Sequence, residues 1–314
     1  MPIAITRYDH SSRDKWNDFV RKAKNSTFLF EREYMDYHSD RFCDCSLIFE
    51  RNGKILALLP ANIEENALVS HRGLTYGGLI MGCHTKATDV IDIFKSLTLY
   101  IKEILNVEKI IYKPLPHIYC QQPSEEPIYA LTQLGAKISA RAISTTIDNR
   151  NRLPIEGQRS RGVKKAVKAG ITCNASNNYE AFWDILDKVL QSRHNTTPVH
   201  TIDEIRLLQS RFPKNIKLFT ANDKETILAG IVVYETENVA HLQYIAASPQ
   251  GKEVGALDAL ITHLTDNVYS NKHYIDFGIS TEQGGTLLNE GLIAQKEGFG
   301  GRAIVYDTYE MQTQ

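Results

Sequence analysis

His241-Leu-Gln-Tyr244 puts an imidazole and a phenol three residues apart inside a β-branched and aromatic run, Val239 to Ala246, that reads as a strand. A neutral imidazole can take a proton from an attacking amine near neutral pH, and a phenol can hand one to a leaving group. Strict alternation places His241 and Gln243 on one face and Leu242 and Tyr244 on the other. A His or Tyr on a core strand is also commonly just packed and hydrogen-bonded, so a structural reading stands beside the catalytic one. A second polar cluster, Ser192 to Thr201, carries Arg193, His194 and His200 on a Pro-containing stretch between two helices. His200 is a further candidate base there, with Arg193 and His194 as substrate contacts. Thr201 has a simpler role, because Glu204 three residues on completes a capping box.

Two carboxylates extend the set. Asp276 ends the short run Tyr274-Ile-Asp-Phe277, where a buried carboxyl can have a raised pKa or can accept bonds from the turn after it. Glu282 follows, with Asn289, Glu290, Lys296 and Arg302 downstream as residues of the same cleft. The stretch from Arg150 to Lys168 holds seven Arg and Lys against one acid, Glu156. Arg161, Lys164, Lys165 and Lys168 share one helical face, which suits phosphate binding or, more plainly, a solvated connector. In the first half, His71-Arg72-Gly73-Leu-Thr-Tyr76-Gly77-Gly78 is a Gly-rich polar turn of the kind that lets backbone approach a ligand. It also reads simply as a loop.

The elements that must position these residues come twice. Leu47 to Glu50 and Ile55 to Leu59 flank Asn52-Gly53, a two-residue hairpin signal. An amphipathic helix over Val90 to Leu105, a buried strand over Lys109 to Lys113, a short helix ending at Gly135 and a strand over Ala142 to Ile147 follow. The second half repeats the order: strands at 216–220, 226–234 and 239–246, a helix over 256–268, a strand at 274–277, a helix over 288–297 and a strand over 303–309. The chain's 314 residues suffice for two domains, predicted at 1–148 and 149–314, the second opening with a basic helix at about 158–170. A net charge of −1 excludes a whole-surface nucleic-acid binder, and no DNA partner is expected. No apolar run reaches the ~18 residues of a membrane span, and the N-terminus lacks a signal-peptide core, so a cytoplasmic protein is expected. The five scattered cysteines, with Cys43-Asp-Cys45 at the wrong spacing for zinc, predict no metal site and reduced thiols.

The segment from Tyr274-Ile-Asp276-Phe-Gly278 to Lys296-Glu-Gly298-Phe299-Gly300-Gly301-Arg302 resembles the C-terminal end of FemAB-like proteins, transferases built from two GNAT-type acyltransferase folds. Gly162-Val-Lys-Lys165-Ala-Val-Lys168-Ala-Gly170 is similar to the basic helix of the same enzymes. The resemblance implies an α/β (α+β) architecture of two tandem GNAT-like domains, each a mixed, mainly antiparallel sheet flanked by helices. It implies that the His241 strand borders an acyl-donor cleft, with Gln243, Asp276 and Glu282 as substrate contacts and the basic helix near phosphates. The donor turn of CoA-using relatives corresponds here to Ser248-Pro-Gln-Gly251-Lys252-Glu-Val-Gly255, so Gly251, Lys252 and Gly255 are the donor-binding candidates. Their glycines are four apart where the CoA pattern has them two apart.

These readings converge on an acyltransferase with no tightly bound cofactor. It uses acetyl-CoA or another acyl donor as co-substrate and forms an amide on an amine, by direct attack, of a cell-envelope precursor such as a nucleotide-linked amino sugar. His241 or His200 is the expected base and Tyr244 the expected acid. The alternatives are transfer from aminoacyl-tRNA to a peptidoglycan precursor, with tRNA as a partner, and a catalytically inactive tandem GNAT that serves as a binding module.

Overall fold

The structure, a computed structural model, describes residues 2–313, apart from the side chains of residues 193 and 194. The chain forms two compact units. The first comprises Met1–Ala142, Gln283–Leu287 and Val305–Gln314; the second comprises Ile143–Glu282 and Leu288–Ile304. No helix among the described residues is long and apolar enough to cross a membrane.

In the first unit Asn52 and Gly53 both take positive φ, 55° and 72°, as a tight hairpin turn requires. They join Leu47–Arg51 to Lys54–Leu59 within a four-stranded sheet that also holds Ala4–Arg7 and Ile80–Met81. Ala87–Tyr100 is the amphipathic helix, burying Val90, Ile93, Phe94 and Leu97, and a single π turn, Ile101–Leu105, ends it. A second set of strands centres on a parallel pair, Ala67–Val69 against Lys109–Tyr112, whose last matched residues are Val69 and Ile111.

The second unit repeats this plan. Thr172–Ser176, Ile216–Asp223, Thr226–Glu235 and Val239–Ala247 form an antiparallel meander. Val239–Ala247 then pairs in parallel with Tyr274–Ile279, which pairs on its far side with residues 143–148. The parallel match covers only Val239 with Tyr274, Ala240 with Ile275 and His241 with Asp276. Both strands run on beyond these residues without pairing to each other, so the sheet forks there. Ala256–His263, extended by a π turn to Val268, packs Leu260, Ile261 and Leu264 into a core with Ile231, Val233 and Ile275. The expected order of elements is present in both halves of the chain, but the closing strands change units: residues 143–148 belong to the second unit and residues from Val305 on to the first, so the division differs from the expected 1–148 and 149–314. The fold is the mixed sheet-and-helix architecture that the resemblance implies.

The two forks differ in content. In the first unit the positions that match His241 and Asp276 are Val69 and Ile111, and the gap beyond them is filled by the chain itself. Lys113 N donates to Ser70 Oγ at 2.7 Å, Gly77 N donates to Lys113 O at 2.9 Å and Leu79 N donates to Tyr112 Oη at 2.7 Å. A Cβ on Gly77 would lie 2.0 Å from Ser70 O, and one on Gly78, at φ 84°, would lie 2.8 Å from Tyr112 Oη. The glycines of the His71–Gly78 turn therefore serve a close approach of backbone to its own neighbours, and the loop reading of that segment holds.

Candidate active site

A β-bulge decides which side chains face which way. Along the Val239–Ala247 strand, His241 is opposite Tyr234, Leu242 opposite Val233 and Tyr244 opposite Val232, so Gln243 is the extra residue. Because Val233 and Val232 point to opposite faces, so do Leu242 and Tyr244. Leu242 enters the core with Leu260 and Ile261, whereas Tyr244 meets the Trp183 ring at 5.2 Å. Strict alternation had put Leu242 and Tyr244 together; the bulge instead brings Tyr244 to the face of His241.

His241 is held by a carboxylate. Its Nδ1 lies 2.8 Å from Asp276 Oδ2, and a carboxylate can only accept, so Nδ1 carries the proton and Nε2 is left as the basic nitrogen. Asp276 is fully buried, and its Oδ1 accepts from Ser144 Oγ at 2.6 Å and Thr146 Oγ1 at 3.0 Å. These donors sit on residues 143–148, the strand next to Asp276, so three adjacent strands supply one hydrogen-bonded row. Gly278 has φ 75°, and a Cβ there would touch His241 Cε1 at 3.3 Å. The imidazole is thus fixed on two sides at the vertex of the fork.

Tyr244 and His200 form a separate buried pair. Tyr244 Oη is hydrogen-bonded to His200 Nδ1 and accepts from the His200 amide at 3.3 Å, while Trp183 Nε1 donates to His200 O. Burial pushes the Tyr244 phenol up to about 12, and the Gln243 side chain lies against it. The phenol keeps its proton at neutral pH, and His200 is oriented by it. Thr201 and Glu204 make the capping box that the spacing predicts. The side chains of Arg193 and His194 lie outside the described residues.

Beyond the fork vertex a cavity of about 280 Å³ opens between the two diverging strands. Ile245, Leu257, Ile261, Phe277, Leu292 and Phe299 give it apolar walls, and Gly251, Lys252 and Gly255 also line it. The amides of those three are already engaged within the chain: Gly251 N with Ser248 Oγ, Lys252 N with Ser248 O and Gly255 N with Lys252 O. What this turn offers a donor is therefore the Lys252 side chain and a close backbone surface, not a row of open amides. Arg159 and Asp258 line the same cavity and pair at 2.7 Å.

The basic helix is Gly157–Lys168. Arg161, Lys164, Lys165 and Lys168 are exposed along it, and its cavity-lining cation is Arg159, two positions before that set. Its packing against Ala256–His263 depends on glycines: a Cβ on Gly162 would lie 1.8 Å from Asp258 Oδ2, and one on Gly255 2.3 Å from Gly162 O. Glu282 is exposed and accepts from Asn289 Nδ2 at 2.8 Å, away from the His241 row. Ser144 and Thr146 escaped a reading of local pattern, whereas Lys296 was already expected in the cleft. Ser144 and Thr146, one step of two apart, carry the signal of a polar strand face. Lys296 lies three residues from buried Ile293 and therefore points inward with it.

Residues 157–283 match the model of the acetyltransferase (GNAT) domain family, and this stretch contains the fork, the bulge and the His241–Asp276 pair. By this match the stretch is a GNAT-type acetyltransferase domain. Solved structures extend the likeness over the full chain. FemX superposes with a TM-score of 0.67 at 11% identity, covering 97% of this chain and 96% of its own. L-PGS from Bacillus licheniformis gives 0.61 at 12% identity, covering 98% and 92%. A tandem GNAT protein from the clavulanic acid biosynthesis pathway gives 0.50 at 11% identity, covering 99% of each chain. At these identities the likeness is one of fold, and one of these structures is itself described as a tandem GNAT protein. The chain matches no curated protein by sequence.

Proposed function

We propose that this acyltransferase forms an amide by direct attack of a substrate amine on an acyl ester or thioester held in the second unit's cavity, with His241 as the base. The observation that carries the reading is the His241–Asp276 pair at the vertex of the fork, where the carboxylate leaves Nε2 as the acceptor. Nε2 takes a proton as the amine nitrogen bonds to the carbonyl carbon, and returns it to the departing oxygen or sulfur as the carbon–oxygen or carbon–sulfur bond breaks. One imidazole thereby serves both steps, and no covalent enzyme intermediate is formed. Tyr244 and His200 take the part of a wall that fixes the strand beside His241, because each is the other's hydrogen-bond partner.

The acceptor we favour is an amine on a cell-envelope precursor, with a nucleotide-linked amino sugar as the first candidate and the exposed cations of Gly157–Lys168 as its phosphate contacts. Acetyl-CoA is the simplest donor to offer, although the engaged amides at Gly251, Lys252 and Gly255 favour a donor gripped mainly by its acyl end. A second reading, aminoacyl transfer with tRNA as partner, draws on the tandem fold shared with FemX and L-PGS.

The test is acyl transfer to a panel of amino sugars and nucleotide-linked amino sugars, read as new amide by mass spectrometry with acetyl-CoA or aminoacyl-tRNA as donor. His241→Ala should lose about 10²–10⁴ of the rate, the range that a positioned base supplies. An unchanged rate in a folded His241→Ala protein would remove His241 from the reaction.

A further inference from the structure

Lys296 is a cation buried without a carboxylate. It is 6% exposed, and its Nζ donates to two backbone carbonyls, Gly278 O and Ile279 O, each at 2.8 Å. Neither acceptor carries charge. Asp276 supports the ammonium only through space, and its oxygens are engaged by His241, Ser144 and Thr146. Lysine is almost never this buried unless paired, since removing an ammonium from water is expensive. Burial depresses this one to about 8, against the opposing pull of the Asp276 carboxylate.

Lys296 also lines the cavity, among Phe277, Leu292 and Phe299. The other ionisable groups on the lining are Arg159, Lys252 and Asp258, and Asp258 is bonded to Arg159. Three cations against one acid leave the cavity net positive by two, inside walls that are otherwise largely apolar. An ammonium has three N–H donors, and two of them are used here. Lys296 therefore brings a charge and a spare donor to the lining of the cavity.

We propose that Lys296 is the counter-ion of an anionic group, carboxylate or phosphate, that the substrate carries into this cavity on an apolar stem. The ligand class is a small amphipathic anion, and a group bearing a positive charge is disfavoured at the same place. This builds on the cavity as the donor site, and it separates the two donor readings: an acyl end that is neutral or negative fits, and a cationic aminoacyl end does not.

The experiment reads binding, not turnover, so it fails independently of acyl transfer at His241. Isothermal titration of the full chain would use hexanoate, butyl phosphate, hexanamide and hexylammonium. An anion should bind at least about tenfold more tightly than hexanamide, a factor equal to about 1.4 kcal/mol. Hexylammonium should be the weakest, and the ratio of hexanoate to butyl phosphate tells carboxylate from phosphate. Lys296→Met should erase the preference for anions. Should that variant fail to fold, the wild-type protein still decides: at pH 8.5 the anion should draw a proton onto Lys296, seen as a binding enthalpy that depends on buffer ionisation. Equal affinity for hexanoate and hexanamide, or anion binding without proton uptake, would overturn the proposal.

Discussion

His241 and Asp276 are the last matched residues of a parallel strand pair, and the bond between them, 2.8 Å from Nδ1 to Oδ2, closes the vertex where the sheet parts. Their identities matter only because of that place. One residue further along, at Leu242 and Phe277, the two strands no longer pair with each other, and both side chains turn into the core instead. Val69 and Ile111 occupy the equivalent place in the first unit and have nothing to ionise.

Asp276→Asn tests whether the carboxylate positions the base. An amide keeps the shape and one acceptor for Ser144 and Thr146, yet presents no anion to Nδ1–H. The rate should fall about 10²-fold or more, and His241→Ala with Asp276→Asn should be little worse than His241→Ala alone, since the two act as a unit. Steady-state rates on all three proteins, with melting curves as a folding control, check this. Losses that multiply would show that Asp276 acts on something other than His241.

Tyr244→Phe separates a wall from an acid. Removing the hydroxyl leaves His200 N and Nδ1 buried without that partner, at a cost of about 1–3 kcal/mol in stability. The rate in the folded variant should change less than about tenfold, short of what general acid–base groups supply. Urea denaturation gives the first quantity and turnover at saturating substrate the second. A hundredfold slower folded variant would return Tyr244 to the role of proton donor.

Lys296 should leave a mark on stability against pH. Its folded value is lowered to about 8 from 10.5, so between those limits the unfolded chain holds more of that proton than the folded one. Stability contributed by this group therefore rises with pH across about 8 to 10.5, as the buried ammonium gives up its charge. Lys296→Met should flatten that rise, which melting temperatures of both proteins at several pH values would show. Parallel curves for the two proteins would mean that Lys296 keeps its usual affinity for protons.

Gly162→Ala and Gly255→Ala should destabilise strongly, because the added carbon would sit 1.8 Å from Asp258 Oδ2 or 2.3 Å from Gly162 O. Gly170→Ala is the control. Like Gly255 it has a positive φ, 74°, yet has nothing within 4 Å, so it should cost only the ~1–2 kcal/mol of a left-handed L-residue. Losses well above that are expected at the first two sites, measured as denaturation midpoints. Three similar values would mean that the helices shift apart at no cost.

Much of the architecture was legible because it is local. Asn52-Gly53, the apolar steps of Val90, Ile93, Phe94 and Leu97, and the Thr201–Glu204 cap each state their structure within a few residues. His241 and Asp276 were visible as chemistry, and their pairing was not, since only the strand register brings residues 35 apart into contact. The Gln243 bulge was hidden for a sharper reason. A period-two pattern assumes one residue per partner, and an insertion against Val232 and Val233 is written in the neighbouring strand, not in this one. Arg159 was hidden among six basic neighbours, because charge alone does not say which cation turns inward.

The contact of Gly162 with Gly255 and Asp258 has a mechanical consequence. Where Gly255 meets the Gly162 backbone there is no side chain to rearrange, so at that point the joint between Gly157–Lys168 and Ala256–His263 behaves as a weld, not as a hinge. The wall of the cavity and the row of exposed cations above it then travel as one piece. Whatever seats itself against Arg159 inside is sensed outside at Lys164 and Lys168 without any lever in between, and a polyanion gripping those lysines pulls directly on the chamber beneath.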